Sequence, residues 1–139
     1  MKQLALKYLQ EMTGNINATF HIDQWESIEE LVVQKNKLLV VQKTGWGKSV
    51  VYFISTKILR QQRAGLSIII SPLISLMRNQ IESAEKLGLE VVTINSSLTP
   101  GPLSELVERI HLEEYGSLLN LFYLVPERKP NIRIYFNML

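Results

Sequence analysis

Apolar and polar positions follow two different periods along this chain, and each change of period marks a change of element. Leu4, Ala5, Tyr8, Leu9 and Met12 fall at helical spacing, and Gly14 stands where a helix C-terminus favours a left-handed residue. Asn15 to Thr19 reads as a polar loop. A second helix is predicted from Asp23, a residue type suited to an N-cap, through Trp25, Ile28, Leu31 and Val32. The period then changes. Leu38 to Val41 is a continuous apolar run, the pattern of a strand buried on both faces of a parallel sheet. Thr44-Gly45-Trp46-Gly47 breaks it, and Val50 to Leu59 returns to helical spacing. Gly65 closes that unit and Ser67 to Ile70 is a second buried strand. Pro72 opens another helix, continued by Leu73, Leu76, Met77, Gln80, Ile81 and Ala84 and ended by Gly88. Leu89 to Ile94 predicts a third strand, Leu103 to Tyr115 a helix, and Leu118 to Val125 a fourth strand. Strands alternating with helices of this length imply βαβ crossovers, so the predicted fold class is α/β, three-layered, with a mostly parallel sheet.

The chemistry concentrates where the first apolar run gives way to a helix, at Gln42-Lys43-Thr44-Gly45-Trp46-Gly47-Lys48-Ser49. A phosphate loop needs backbone N–H groups turned inward around an anion, and Gly45 and Gly47 permit that path. The helix beginning near Lys48 aims its positive end at the phosphates. Lys48 is placed to reach the β- and γ-phosphates as the catalytic lysine, and Ser49 to ligate Mg²⁺. Thr44, Gly45, Trp46, Gly47, Lys48, Ser49 and Val50 form the expected nucleotide-binding run, with ATP and Mg²⁺ as the cofactors. The generic pattern has glycine at the loop's first position; here it is Gln42. The bland alternative is a simple turn, and the flanking elements and the register of both glycines argue against it.

Other segments extend the picture. Thr44 to Ser49 followed by Val50-Val51-Tyr52-Phe53 resembles motif I of RecQ-type superfamily 2 helicases. Ser71-Pro72-Leu73-Ile74-Ser75-Leu76-Met77-Arg78-Asn79-Gln80 closely matches their motif Ia. Phe20-His21-Ile22-Asp23-Gln24, with Ile28, resembles the adenine-recognition element; Ile94-Asn95-Ser96-Ser97 and Tyr123 to Arg128 resemble two further family segments. Five elements occur in the family's order. The resemblance implies a P-loop NTPase (RecA-like) lobe of an ATP-dependent 3′-to-5′ DNA helicase, acting inside the cell on single-stranded or forked DNA. It divides the chain into an N-terminal helical segment with the adenine element (1–36), a partial ATP-binding lobe (37–128) and an unmatched tail (129–139).

Residue chemistry is consistent with those roles. The Gln24 amide both donates and accepts, so it can pair with N6 and N7 of adenine and select ATP over GTP; the alternative is a solvated residue at a helix start. Ser75, Arg78 and Asn79 are candidates for DNA backbone contacts at the carboxyl end of the sheet, whereas Leu73, Leu76 and Met77 are core at helical spacing. Asn95, Ser96 and Ser97 either touch a phosphate or make a local turn. Trp25 is expected in the core and Trp46 exposed by its position. His21 and His111 have no partner spacing for a metal or catalysis.

Composition changes the picture little. The 139 residues carry a formal net charge of +2, so overall charge is silent on nucleic acid. No apolar run approaches the ~20 residues of a membrane span, and Gln3, Lys7, Gln10 and Glu11 interrupt any leader-like stretch. The absence of cysteine excludes disulfides and thiolate metal sites and fits a cytosolic protein. The resemblance also implies an Asp-Glu-Ala-His box on the next strand and a second lobe; no acidic residue follows Glu127. The expectation is therefore a nucleotide-binding lobe without its hydrolytic residues. A degenerate remnant that holds nucleotide or DNA without turnover is the alternative. An unrelated P-loop kinase ranks last, because it has no use for the Ser71 to Gln80 string. Oligomeric state is left open.

Overall fold

The structure is a computed structural model of the chain and describes residues 1–62, 67–70, 74–94 and 121–124. Its elements in chain order are α1 (Lys2–Thr13), α2 (Gln24–Val32), α3 (Lys48–Gln61), β1 (Ser67–Ile70), α4 (Ile74–Lys86), β2 (Val91–Ile94) and β3 (Leu121–Leu124).

Helix α1 buries Ala5, Tyr8, Leu9 and Met12 along one face and ends as its sequence predicts. Gly14 takes φ 65°, and its N–H reaches the Gln10 and Glu11 carbonyls that the helix leaves unpaired. Helix α2 begins one residue after Asp23, but the Asp23 side chain makes no capping bond. Asp23 itself takes φ 67°, and its carbonyl accepts from Ser27 N–H at 3.0 Å and Ser27 Oγ at 2.7 Å. Its backbone, not its carboxylate, starts this helix.

Helix α2 packs on α3, and α1 packs on both α3 and α4. Phe53, Ile54 and Ile58 from α3 meet Ile28 and Val32 from α2 in one buried cluster with Ala5 and Leu9. Burial of side chains of this size contributes about 1.5–3 kcal/mol each. Trp25 joins the same cluster, as its helical position predicts. Helix α4 ends at a left-handed Gly88 with φ 65°, where Leu89 N–H reaches back to the Ala84 carbonyl at 3.1 Å.

Three strands form a parallel sheet in the order β1-β3-β2, with Ser67 and Val91 each paired to Leu121. Each of the three lies inside a segment whose apolar run predicts a strand. The first predicted strand is different. Leu38 to Val41 forms no strand; Leu39 is 88% and Val41 82% exposed, and Val40 alone of the run packs against the core. A buried parallel strand exists only through hydrogen-bonded neighbours on both sides. Among the described residues the sheet is β1-β3-β2 and holds no ladder to this segment. The phosphate-loop segment therefore follows an extended, exposed stretch rather than a buried strand.

The predicted helix from Leu103 to Tyr115, the Asn95-Ser96-Ser97 segment, Val125 to Arg128 and the tail lie outside the described residues. Among the described residues no helix is long and apolar enough to cross a membrane.

Candidate nucleotide-binding site

The loop from Gln42 to Gly47 reverses the chain into α3, and two glycines make the reversal possible. Gly45 takes φ 85° and Gly47 φ 92°, a region that any side chain makes costly. Gly47 is constrained twice. A Cβ on it would lie 2.7 Å from Gln24 Nε2, so any side chain there would also push the Gln24 amide out of its place against the loop. Gly47 is the N-cap of α3 and offers no side-chain cap, which leaves the first N–H groups of the helix available to an anion.

Lys48 is exposed at the first turn of α3. Its ammonium donates to the Gln42 carbonyl at 2.6 Å and to the Lys43 carbonyl at 3.1 Å, so it lies across the mouth of its own loop. The Lys43 carbonyl also accepts the Trp46 N–H at 3.3 Å, which closes the loop into a tight ring. Thr44 and Gly45 are exposed at its tip, Ser49 is half-buried beside Lys48, and Val50 is buried beneath them. The glycine path, the uncapped helix start and an exposed cation at the rim suit a polyphosphate with its divalent ion. Lys48 would exchange two carbonyls for phosphate oxygens, a stronger, charge-assisted contact.

Gln24 is the second centre. It is only 1% exposed and fully engaged. Its Oε1 accepts from the His21 N–H at 2.9 Å, and its Nε2 donates to the carbonyls of Trp46 at 2.8 Å and Gly47 at 3.4 Å. Gln24 and Trp46 stand 22 residues apart in the sequence; the packing of α2 on α3 brings them into direct contact. A solvated helix-start residue it is not. A Gln24 amide that turned to another partner would loosen its hold on the loop carbonyls, so one side chain ties the α2 turn to the shape of the loop.

Trp46 corrects an expectation. Its position at the loop centre predicts exposure, yet it is 8% exposed. The ring is drawn inward because its Nε1–H finds the Ile22 carbonyl at 3.2 Å and its face joins the apolar cluster. Apolar size in a loop was the only sequence signal for this, and it does not specify direction.

Ser75, Arg78 and Asn79 fall within α4. Asn79 is exposed, and its carbonyl accepts from Ser83 Oγ at 2.8 Å. The side chains of Ser75 and Arg78, and all of Asn95 and Ser96, lie outside the described residues. Among the described residues no cluster of His, Asp or Glu is arranged to hold a metal alone. A divalent ion here would depend on Ser49 and on the phosphates themselves.

Comparison with known proteins bears on the family. The DEAD/DEAH box helicase family model matches residues 21–132, a span that takes in both the Gln24 turn and the loop. The chain is 34% identical over 113 residues to the ATP-dependent DNA helicase RecQ of Bacillus subtilis, covering 81% of this chain and 18% of that protein. It is 33% identical over 128 residues to RecQ of Pasteurella multocida, covering 92% of this chain and 18% of the relative. A putative ATP-dependent DNA helicase Q1 of Caenorhabditis briggsae is 32% identical over 108 residues, covering 78% of this chain and 16% of the relative. The chain thus spans less than a fifth of the length of these relatives.

Proposed function

The chain belongs to the DEAD/DEAH box helicases, in their RecQ-like branch, and on that premise we propose that it is the ATP-binding part of a DNA helicase lobe. The observation that carries this reading is the contact between Gln24 and the Gly47 turn, which joins a base-reading amide to a phosphate loop.

In the proposed complex the triphosphate lies in the ring from Thr44 to Ser49, with Val50 beneath it. Lys48 leaves the Gln42 and Lys43 carbonyls for the β- and γ-phosphates, and Ser49 helps hold Mg²⁺. Gln24 reads the adenine edge with one donor and one acceptor. Bound Mg²⁺ would supply charge neutralisation at the phosphates. This chain's residues bind and orient the nucleotide.

The division into an adenine element (1–36), a RecA-like lobe (37–128) and a tail (129–139) is part of the same proposal. So are helices on both faces of the parallel sheet, and DNA backbone contacts from Ser75, Arg78, Asn79, Asn95 and Ser96. Single-stranded or forked DNA is the proposed nucleic acid. Unwinding belongs to a whole helicase, in which two lobes open and close around the nucleotide.

Titration of the purified chain with ATP and with GTP, each with Mg²⁺, tests this reading. The expected result is measurable ATP binding, weaker GTP binding and turnover no faster than background. Equal affinity for the two nucleotides would remove Gln24 from base recognition, and sustained hydrolysis would show that these residues do more than bind.

A further inference from the structure

The side chain and the main chain of Trp46 are tied to the same turn by bonds that run in opposite directions. From the turn, Gln24 Nε2 donates to the Trp46 carbonyl at 2.8 Å. From the loop, Trp46 Nε1 donates to the Ile22 carbonyl at 3.2 Å. The turn is itself rigid: Gln24 N–H donates to the His21 carbonyl at 3.1 Å, and His21 N–H donates to Gln24 Oε1 at 2.9 Å. The indole is 8% exposed and packs in the core, so its direction is fixed.

The two ties differ in what a bound base does to them. If Gln24 turns to adenine, its bond to the Trp46 carbonyl is given up. The indole bond needs no group that adenine uses. We propose that Trp46 is a positioning residue that keeps the phosphate loop in register with the base-reading turn, so that adenine and triphosphate bind as one event. The inference rests on the nucleotide-binding reading above. Coupling of this kind is reciprocal: what the turn does for the phosphates, the loop does for base selection.

Trp46→Phe keeps an aromatic ring in the core but removes the indole donor along with part of the ring volume, so the readouts must separate register from packing. Affinities for ATP, GTP and inorganic tripolyphosphate are measured for the wild-type chain and the variant. Loss of this part-buried hydrogen bond predicts ATP affinity weaker by roughly threefold to tenfold. The ATP-to-GTP ratio falls with it, while tripolyphosphate affinity changes by less than about twofold, since that ligand carries no base. A purely structural role would weaken ATP and tripolyphosphate alike and leave the ratio unchanged; that result overturns the inference and leaves the nucleotide reading intact. A folded wild-type chain that binds no ATP overturns the nucleotide reading and this role together. Should Trp46→Phe not fold, hydrogen exchange at the Trp46 indole of the wild-type chain decides. It stays protected in the ATP complex under this inference, and exchange at the rate of a solvent-exposed indole overturns it.

Discussion

At the scale of single residues the site is governed by positions that admit one residue type. Gly47 combines φ 92° with a 2.7 Å approach of Gln24 Nε2 to its missing Cβ. Gly47→Ala is expected to cost about 1–3 kcal/mol of stability through backbone strain alone, read as a lower midpoint in denaturant unfolding. An unchanged midpoint would mean that the loop follows another path. Gln24→Ala leaves the Trp46 carbonyl without its buried partner and is expected to cost about 1–3 kcal/mol; the conservative Gln24→Glu keeps the size but brings acceptors to two carbonyls and is expected to fare no better. The glycines and Lys48 were legible from spacing because backbone conformation and charge are local properties. The inward turn of Trp46 and the full engagement of Gln24 were not, because both depend on partners that only the packing of α2 on α3 supplies.

At the scale of elements, periodicity located α1 to α4 and three strands, since burial on one face leaves a spacing that the sequence displays. It failed at Leu38 to Val41, and the reason is physical. An apolar run has the composition of a strand, but a strand is made by its neighbours, and composition does not contain them. Leu39→Ser tests the correction. At 88% exposure the substitution is expected to change stability by less than about 0.5 kcal/mol, whereas a buried strand at that position would lose ~2 kcal/mol or more. Ile28→Ala is the contrasting case. Ile28 is fully buried between α2 and α3, and its truncation is expected to cost about 2–5 kcal/mol. Thermal or denaturant unfolding of both variants beside the wild type measures the contrast; similar costs would contradict the assignment of the core.

Across the whole molecule, α1 to α3 and the loop from Gln42 to Gly47 pack together, and the residues proposed for base reading and for phosphate binding meet there. Family membership rests on the match over residues 21–132, and the five ordered segments that resemble RecQ-type helicases made it visible from the sequence. What the whole helicase does with DNA is a property of a protein more than five times as long as the matched region, since the relatives are covered to 16–18% of their length. Binding of nucleotide is the part of that activity these residues are proposed to carry, and Lys48 is the exposed cation proposed to meet the phosphates. The decisive measurement is therefore Mg²⁺-dependent ATP binding by the folded 139-residue chain and by Lys48→Ala, followed by calorimetric titration. Loss of a charge-assisted contact to phosphate predicts affinity weaker by roughly 10-fold or more in the variant, with an unchanged unfolding midpoint. A folded chain whose nucleotide binding is absent, or is indifferent to Lys48→Ala, would contradict the account at its centre.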